Sequence, residues 1–254
     1  MSEKRVALVT GASKGVGRGI ALGLAADGWD VAINFHGDRD GAMDTAETVR
    51  GHGRNAWVLQ GNVGVSDDVV RMFEELDAAA GRIDLLVNNA GVQTWAPLLE
   101  LKEADWDRTL ATNLKGTFLC TQQAALRMKQ QGSGGIINIG SGANKRPFPK
   151  LVDYGASKGG IERLTKVSAV ELGPLGIRVN CVAPGAIEIE RTKHEAPNYA
   201  ETWAPRTPLR RVGQVEDVAH MVVFLASNKA SFVTGQTIYT DGGLFTQGPW
   251  PEEY

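Results

Sequence analysis

Short apolar runs recur along this chain at 6–10, 31–35, 56–60, 84–88, 136–139, 178–183 and 237–240, and this repetition limits its possible folds most. Stretches with helical spacing lie between them. Over 15–27, Ile20, Leu22, Leu24 and Ala25 share one face before Gly28 stops the pattern. A polar helix is expected over 39–50. Ser66, with Asp67 and Asp68 behind it, is expected to cap a helix ending at Gly81. Further helices are expected over 106–131, 154–172 and 215–226. Strands apolar on both faces, alternating with amphipathic helices, imply a parallel sheet covered on each side, a doubly wound α/β domain. No Ser- or Pro-rich linker divides the chain, so the expectation is a single domain over 1–254. The least regular segment, 184–213, is rich in Pro, Arg and aromatics and reads as a lid over a site.

Composition narrows the function. With 254 residues the chain suits one large domain better than two. A net charge of -2, from 27 basic and 29 acidic residues, argues against a nucleic-acid or anionic-membrane partner. Cys120 and Cys181 both sit in apolar segments and read as reduced, buried thiols. Met1-Ser2-Glu3-Lys4-Arg5 runs into the first apolar stretch without a signal-peptide pattern, and no apolar run reaches the roughly 18 to 20 residues that span a bilayer. A cytoplasmic location is therefore expected.

In a doubly wound sheet, ligands bind beyond the carboxyl ends of the strands, so the first loop carries most information. It reads Thr10-Gly11-Ala12-Ser13-Lys14-Gly15-Val16-Gly17. Glycines there let the backbone approach a pyrophosphate, whose charge a following helix N-terminus favours. Further on, Tyr154 precedes Lys158 by four residues, one helical turn, so both side chains share a face. A phenol with an ordinary pKa near ~10 serves poorly as an acid or base at neutral pH unless a cation beside it favours the phenolate. Lys158 is the candidate cation. Ser141, at the end of the fifth apolar run, is a candidate to hold a substrate oxygen against the phenol, or else to cap a turn.

Thr10-Gly11, Gly15-Val16-Gly17, Asn88-Asn89-Ala90-Gly91, Asn113, Ser141, Tyr154-Gly155-Ala156-Ser157-Lys158, Pro184-Gly185 and Asp241-Gly242-Gly243 follow one another as in the short-chain dehydrogenases/reductases, and from about Arg5 to Gly243 the chain resembles that family. The resemblance implies a Rossmann-type fold and an NAD(P)-dependent oxidoreductase acting on a CH–OH group of a small molecule. It implies that Tyr154 passes the proton, Lys158 lowers its pKa and holds the nicotinamide ribose, Ser141 orients the substrate oxygen, and Asn113 supports a water relay behind Lys158. Asn113 alternatively only kinks its helix. By the same resemblance the cofactor lies against Gly11, Ser13, Lys14, Gly15, Val16, Asn62, Val63, Asn89, Tyr154, Lys158 and Ile187. No metal is implied, and a homotetramer is.

Two positions depart from the family. Asn62 stands where Asp usually reads adenine, and its amide both accepts and donates; Ile189 replaces a Thr that contacts phosphate. An NAD site carries an acid about 20 residues past the glycines. Here Asn34-Phe35-His36-Gly37 offers none until Asp38, while Lys14 and Arg39 suit a 2′-phosphate. NADP is the expected cofactor, with NAD use possible.

Gln93, Trp95 and Trp203 join Ser141 as candidate substrate contacts, and the lid adds Arg191, Lys193, His194, Tyr199 and Arg206. Flat rings mixed with polar groups suit a polyhydroxylated substrate. The segment 145–149 and Pro184-Gly185-Ala186-Ile187 are similar to bacterial glucose 1-dehydrogenases of the family, so a sugar or polyol is expected. Trp203 alternatively packs the lid or a subunit contact. A 3-oxoacyl-thioester reductase is the competing reading; it needs a basic patch for an acidic carrier protein, for which Arg127, Lys129, Arg191, Lys193, Arg210 and Arg211 are available. A third reading is a non-catalytic nucleotide-sensing protein on the same fold. The tail 244–254, with Trp250 between prolines and Glu252, Glu253 and Tyr254 after it, either frays or packs on a neighbouring subunit.

Overall fold

The computed structural model describes residues 5–190, 192 and 196–247. The apolar runs become β1 (Val6–Val9), β2 (Asp30–Phe35), β3 (Ala56–Gln60), β4 (Leu85–Asn88), β5 (Gly134–Ile139), β6 (Ile177–Pro184) and β7 (Thr237–Thr240). They form one parallel sheet in the order β3-β2-β1-β4-β5-β6-β7. Ala7 pairs with both Val31 and Leu85, so β1 is central, and the order reverses between β1 and β4. Loops leaving those two strands turn apart there and open a crevice at the carboxyl edge.

Helices cover both faces. On one side α1 (Gly15–Ala26), α2 (Arg39–Gly51) and α7 (Val215–Ala226) place Ile20, Leu24, Val49, Val222 and Leu225 against the sheet. On the other, α3 (Ser66–Ala80) and α5 (Gly116–Gln131) contribute Met72, Phe73, Leu76 and Met128, while α6 (Val152–Leu172) adds Ala169. Each such large side chain, wholly buried, contributes roughly 1.5 to 3 kcal/mol. Cys120 and Cys181 are both free thiols in this core, and burial pushes them up to about 12 and about 11 respectively. No helix among the described residues is long and apolar enough to cross a membrane.

Three local expectations change. Ser66 is the first residue of α3 rather than its cap; the cap position is Val65, without a side-chain bond. Asp68, in the first turn of that helix, reaches back to the loop before it, its Oδ2 accepting the Asn62 N–H at 2.9 Å. The helix expected over 106–131 starts earlier, as α4 (Glu103–Leu110), and reaches α5 through a π-helical turn, Ala111–Lys115. Finally β5 begins at Gly134, two residues before the apolar run, and Met128 of α5 lies over that glycine, 2.4 Å from where a Cβ would stand.

The segment 184–213 carries the short helix Tyr199–Trp203 and folds back as a parallel bridge between Ile187 and Gly213. Its apolar side chains gather with those after β7: Ala186, Val212, Leu244 and Phe245 are buried, and Phe148, Tyr199, Trp203 and Tyr239 pack on them. The remaining lid candidates Arg191, Lys193 and His194 lie outside the described residues, as does the tail from 248 on, with Trp250, Glu252, Glu253 and Tyr254.

Candidate active site

The glycine-rich loop leaves β1 into the crevice. Gly11 has φ +62°, and a Cβ there would meet the Ala90 backbone at 2.9 Å. At Gly17 a Cβ would lie 2.3 Å from the Gly11 carbonyl and 2.4 Å from the Asn89 amide nitrogen. Asn89 clamps the loop: its Nδ2 donates to the Thr10 carbonyl at 2.9 Å and to the Gly11 carbonyl at 3.0 Å. The side chain expected to touch a cofactor thus holds the cradle's shape. From below, Asn34 does likewise, accepting the Gly11 N–H at 3.2 Å and donating to Leu59 and Gly61 carbonyls at 3.3 and 3.1 Å.

The first turn of α1 has no side-chain cap and no acidic residue, so the N–H groups of Gly15, Val16 and Gly17 face the crevice without a side-chain anion. Such a cradle fits the pyrophosphate of a dinucleotide. Ser13 is 7% exposed beside it, and Ile189 lies over Gly15, 3.7 Å from the place a Cβ would take, giving that spot an apolar cover. Lys14 does not stand alone as a phosphate ligand: its Nζ is 3.3 Å from the Asp38 carboxylate. Asp38 is occupied in turn. The Gly41 N–H, with Lys14 beside it, lowers its pKa, so the first acid after β2 is turned to capping α2.

Where adenine was expected, Asn62 Oδ1 accepts the Gly64 N–H at 3.0 Å, which leaves the amide nitrogen as the group that can read a base; Val63 beside it is buried. Asp68 anchors Asn62, and that hydrogen bond together with Arg71 lowers the Asp68 pKa. At Ile187, the bridge to Gly213 uses the Glu188 N–H and Ala186 carbonyl, leaving the backbone groups of Ile187 out of it.

Ser141, Tyr154 and Lys158 converge at the carboxyl end of β5. Lys158 is 4% exposed, and its Nζ donates to the Ile139 carbonyl at 2.7 Å, two residues before Ser141. The same ammonium lies 5.4 Å from the centre of the Tyr154 ring. Ser141 caps a short turn, Gly142–Asn144, by accepting the Ala143 N–H at 3.2 Å, and its own hydroxyl proton remains to donate. Capping and substrate contact are thus compatible at one hydroxyl.

Asn113 lies in the π-helical turn, fully buried. Its amide clasps Val92, accepting the N–H and donating to the carbonyl at 2.8 Å each, and also donates to Ser157 Oγ at 3.0 Å. Ser157 in turn donates to the Tyr154 carbonyl at 2.7 Å. The Asn113 side chain therefore ties the loop after β4 to α6, and its hydrogen bonds stop short of Lys158. Asp153, a buried carboxylate that the motifs did not single out, accepts the Thr109 hydroxyl at 2.6 Å and the Tyr154 N–H at 2.7 Å, locking the first turn of α6 to α4.

The substrate candidates occupy two rims. Gln93 and Trp95 are on the loop after β4, with Trp95 62% exposed, and that loop is stitched to Leu151 through Ala96. Trp203 sits edge-on to Phe148 at 6.5 Å. Phe148 also meets Phe245 at 6.0 Å, and Phe245 covers Gly142, the residue after Ser141.

A phosphate cradle at the strand reversal, with a buried lysine and a tyrosine beyond it, defines a dinucleotide-dependent oxidoreductase. Comparison with known proteins agrees. The family model described as enoyl-(acyl carrier protein) reductase matches residues 11–245. A 3-oxoacyl-(acyl-carrier-protein) reductase from Staphylococcus aureus is 42% identical over 96% of this chain and 100% of its own length. Acetoin dehydrogenase from Enterobacter cloacae superposes with a TM-score of 0.91 at 36% identity, covering 99% of this chain and 100% of that one. Gluconate 5-dehydrogenase from Burkholderia cenocepacia, in complex with NADP and tartrate, gives 0.90 at 36% identity and 96% of each chain. The chain belongs to the short-chain dehydrogenase/reductase family, the NAD(P)-dependent oxidoreductases that act on CH–OH groups.

Proposed function

We propose that this chain interconverts a secondary alcohol and a carbonyl in a sugar or polyol, with NADP as the preferred cofactor. The observation that carries the substrate class is the pair of part-buried rings Phe148 and Trp203, backed by the buried Phe245 beside the Ser141 turn, with Arg146, Arg206 and Gln247 on the same groove. Ring faces and edges pack on the C–H surfaces of a sugar while charged and amide groups meet its hydroxyls. The cofactor, when bound, supplies or takes the hydride. Ser141 holds the substrate oxygen by a hydrogen bond from its hydroxyl, and Tyr154 gives that oxygen its proton or removes it. Lys158, buried beside the ring, stabilises the charge that appears on the phenol oxygen as the proton leaves. For the cofactor, the engaged Asp38 and the cations Lys14, in the loop after β1, and Arg39, the first residue of α2, support NADP; the NADP complex of the Burkholderia cenocepacia relative agrees.

The similarity to the Staphylococcus aureus reductase favours a second reading, reduction of a 3-oxoacyl thioester. The basic groups it calls on are partly engaged. Arg127 grips Asp77 at 2.6 Å, and Arg211 grips Asp217 so closely that the carboxyl is held down to about 2. A panel of aldoses, polyols, aldonic acids and 3-oxoacyl thioesters, each with NADP and NAD, separates the two. The expected result is a polyhydroxylated substrate with NADP leading every thioester by at least about tenfold in kcat/KM, or ~1.4 kcal/mol. A thioester at the head of the panel replaces this reading with the second. A homotetramer also belongs to the proposal: Phe118 and Leu126 on α5 and Val167 and Val170 on α6 leave apolar surface exposed. A monomer in light scattering would remove that part.

A further inference from the structure

Tyr154, Lys158 and Glu162 recur at every fourth residue of α6 and so lie on one stripe. The first two belong to the site described above. Glu162, part-buried with 24% of its side chain exposed, accepts the Lys166 ammonium at 2.6 Å on one oxygen and the Asn144 amide on the other. Asn144 is the last residue of the turn that Ser141 opens, and its N–H donates to the Ser141 carbonyl at 3.2 Å. Its Oδ1 accepts the Tyr239 hydroxyl, on β7, at 3.1 Å. Burial, and then the charge of Glu162, push the Tyr239 hydroxyl up, which keeps it a donor.

Asn144 therefore stands where three elements meet: the Ser141 turn, the Tyr154 stripe and β7. An exposed Lys–Glu pair one helical turn apart contributes little by itself. The bond across to the turn is different, because it joins the segment holding Ser141 to the helix holding Tyr154. We propose that Asn144 and Glu162 are positioning residues, a latch that holds the Ser141 hydroxyl and the Tyr154 phenol at the spacing one substrate oxygen requires. The inference rests on the roles given above to Ser141 and Tyr154. A misplacement near 1 Å in such a pair costs about 10²-fold in rate.

The test exchanges donor and acceptor. In Asn144→Asp a second carboxylate faces Glu162 and the latch opens. In Asn144→Asp with Glu162→Gln, the glutamine NH₂ donates to the new carboxylate, its oxygen still serves Lys166, and Tyr239 still has an acceptor. Steady-state kinetics on the best panel substrate, NADPH titration by fluorescence and thermal unfolding are measured for wild type, both single variants and the double variant. Asn144→Asp is expected to lower kcat by about 10²-fold with NADPH affinity within about twofold, and the double variant to return kcat to within about threefold of wild type. Wild-type kcat in Asn144→Asp overturns the latch. So does a double variant that folds as well as wild type yet stays as slow as the single one. Should Asn144→Asp fail to fold, the double variant decides alone by the same criterion. A wild-type chain inactive on the whole panel removes the catalytic reading and the latch with it, whereas failure of the latch alone leaves wild-type turnover and its loss in Tyr154→Phe intact.

Discussion

Tyr154→Phe is expected to lower kcat by about 10²- to 10⁴-fold, the usual share of a positioned proton donor, with NADPH affinity unchanged within about twofold. The hydroxyl is removed while the ring stays 5.4 Å from the Lys158 ammonium, and the main-chain bonds to Asp153 and Ser157 that set the first turn of α6 remain. Stopped turnover with cofactor still bound separates an enzyme from a nucleotide sensor on the same fold, because a sensor has no turnover to lose. Turnover within about threefold of wild type would move the proton to another group and overturn the role given to Tyr154.

The second large effect is expected at the other end of the crevice. Gly17→Ala puts a methyl 2.3 Å from the Gly11 carbonyl and 2.4 Å from Asn89 Nδ2, both of which belong to one clamp. Relief means parting Asn89 from the loop, so the cradle opens. Overpacking of this kind costs about 1 to 3 kcal/mol in stability. NADPH affinity is expected to fall at least about tenfold, equivalent to ~1.4 kcal/mol. Gly159→Ala is the matched control, since a Cβ at Gly159 meets nothing within 4 Å. Fluorescence titration and thermal unfolding of the two variants decide it; wild-type affinity in Gly17→Ala would show that the loop tolerates a different shape.

Much of the frame was legible because continuous apolar runs and helical spacing are local signals. The seven strands and the loop 10–17 sit where those signals place them. The π-helical turn at Ala111–Lys115 was not legible, since its apolar spacing passes for ordinary helix; only its hydrogen bonds reveal it. Side chains that meet across long separations were hidden for a related reason. Nothing in the sequence sets Asp38 opposite Lys14, and the reach of Asn89 back to Thr10 spans 79 residues. The basic residues proposed for a carrier protein likewise gave no sign that Arg127 would meet Asp77. The ring contacts of Trp203 with Phe148 and Tyr199 were hidden in the same way.

The two isolated bridges, Ala96 to Leu151 and Ile187 to Gly213, lie outside the seven strands. Among the described residues no strand lies between Ile187 and Gly213, so the stretch that bridge closes can lengthen, shorten or change its chemistry without shifting the register of any strand, whereas Ala96 and Leu151 tie the loop after β4 to the start of α6 across α4, α5 and β5. Relatives at 36 to 42% identity carry names as different as acetoin, gluconate and 3-oxoacyl dehydrogenases or reductases. The seam at Ile187 and Gly213 leaves room for such variety, since the excursion it closes can change while Tyr154 and Lys158 keep their places on α6.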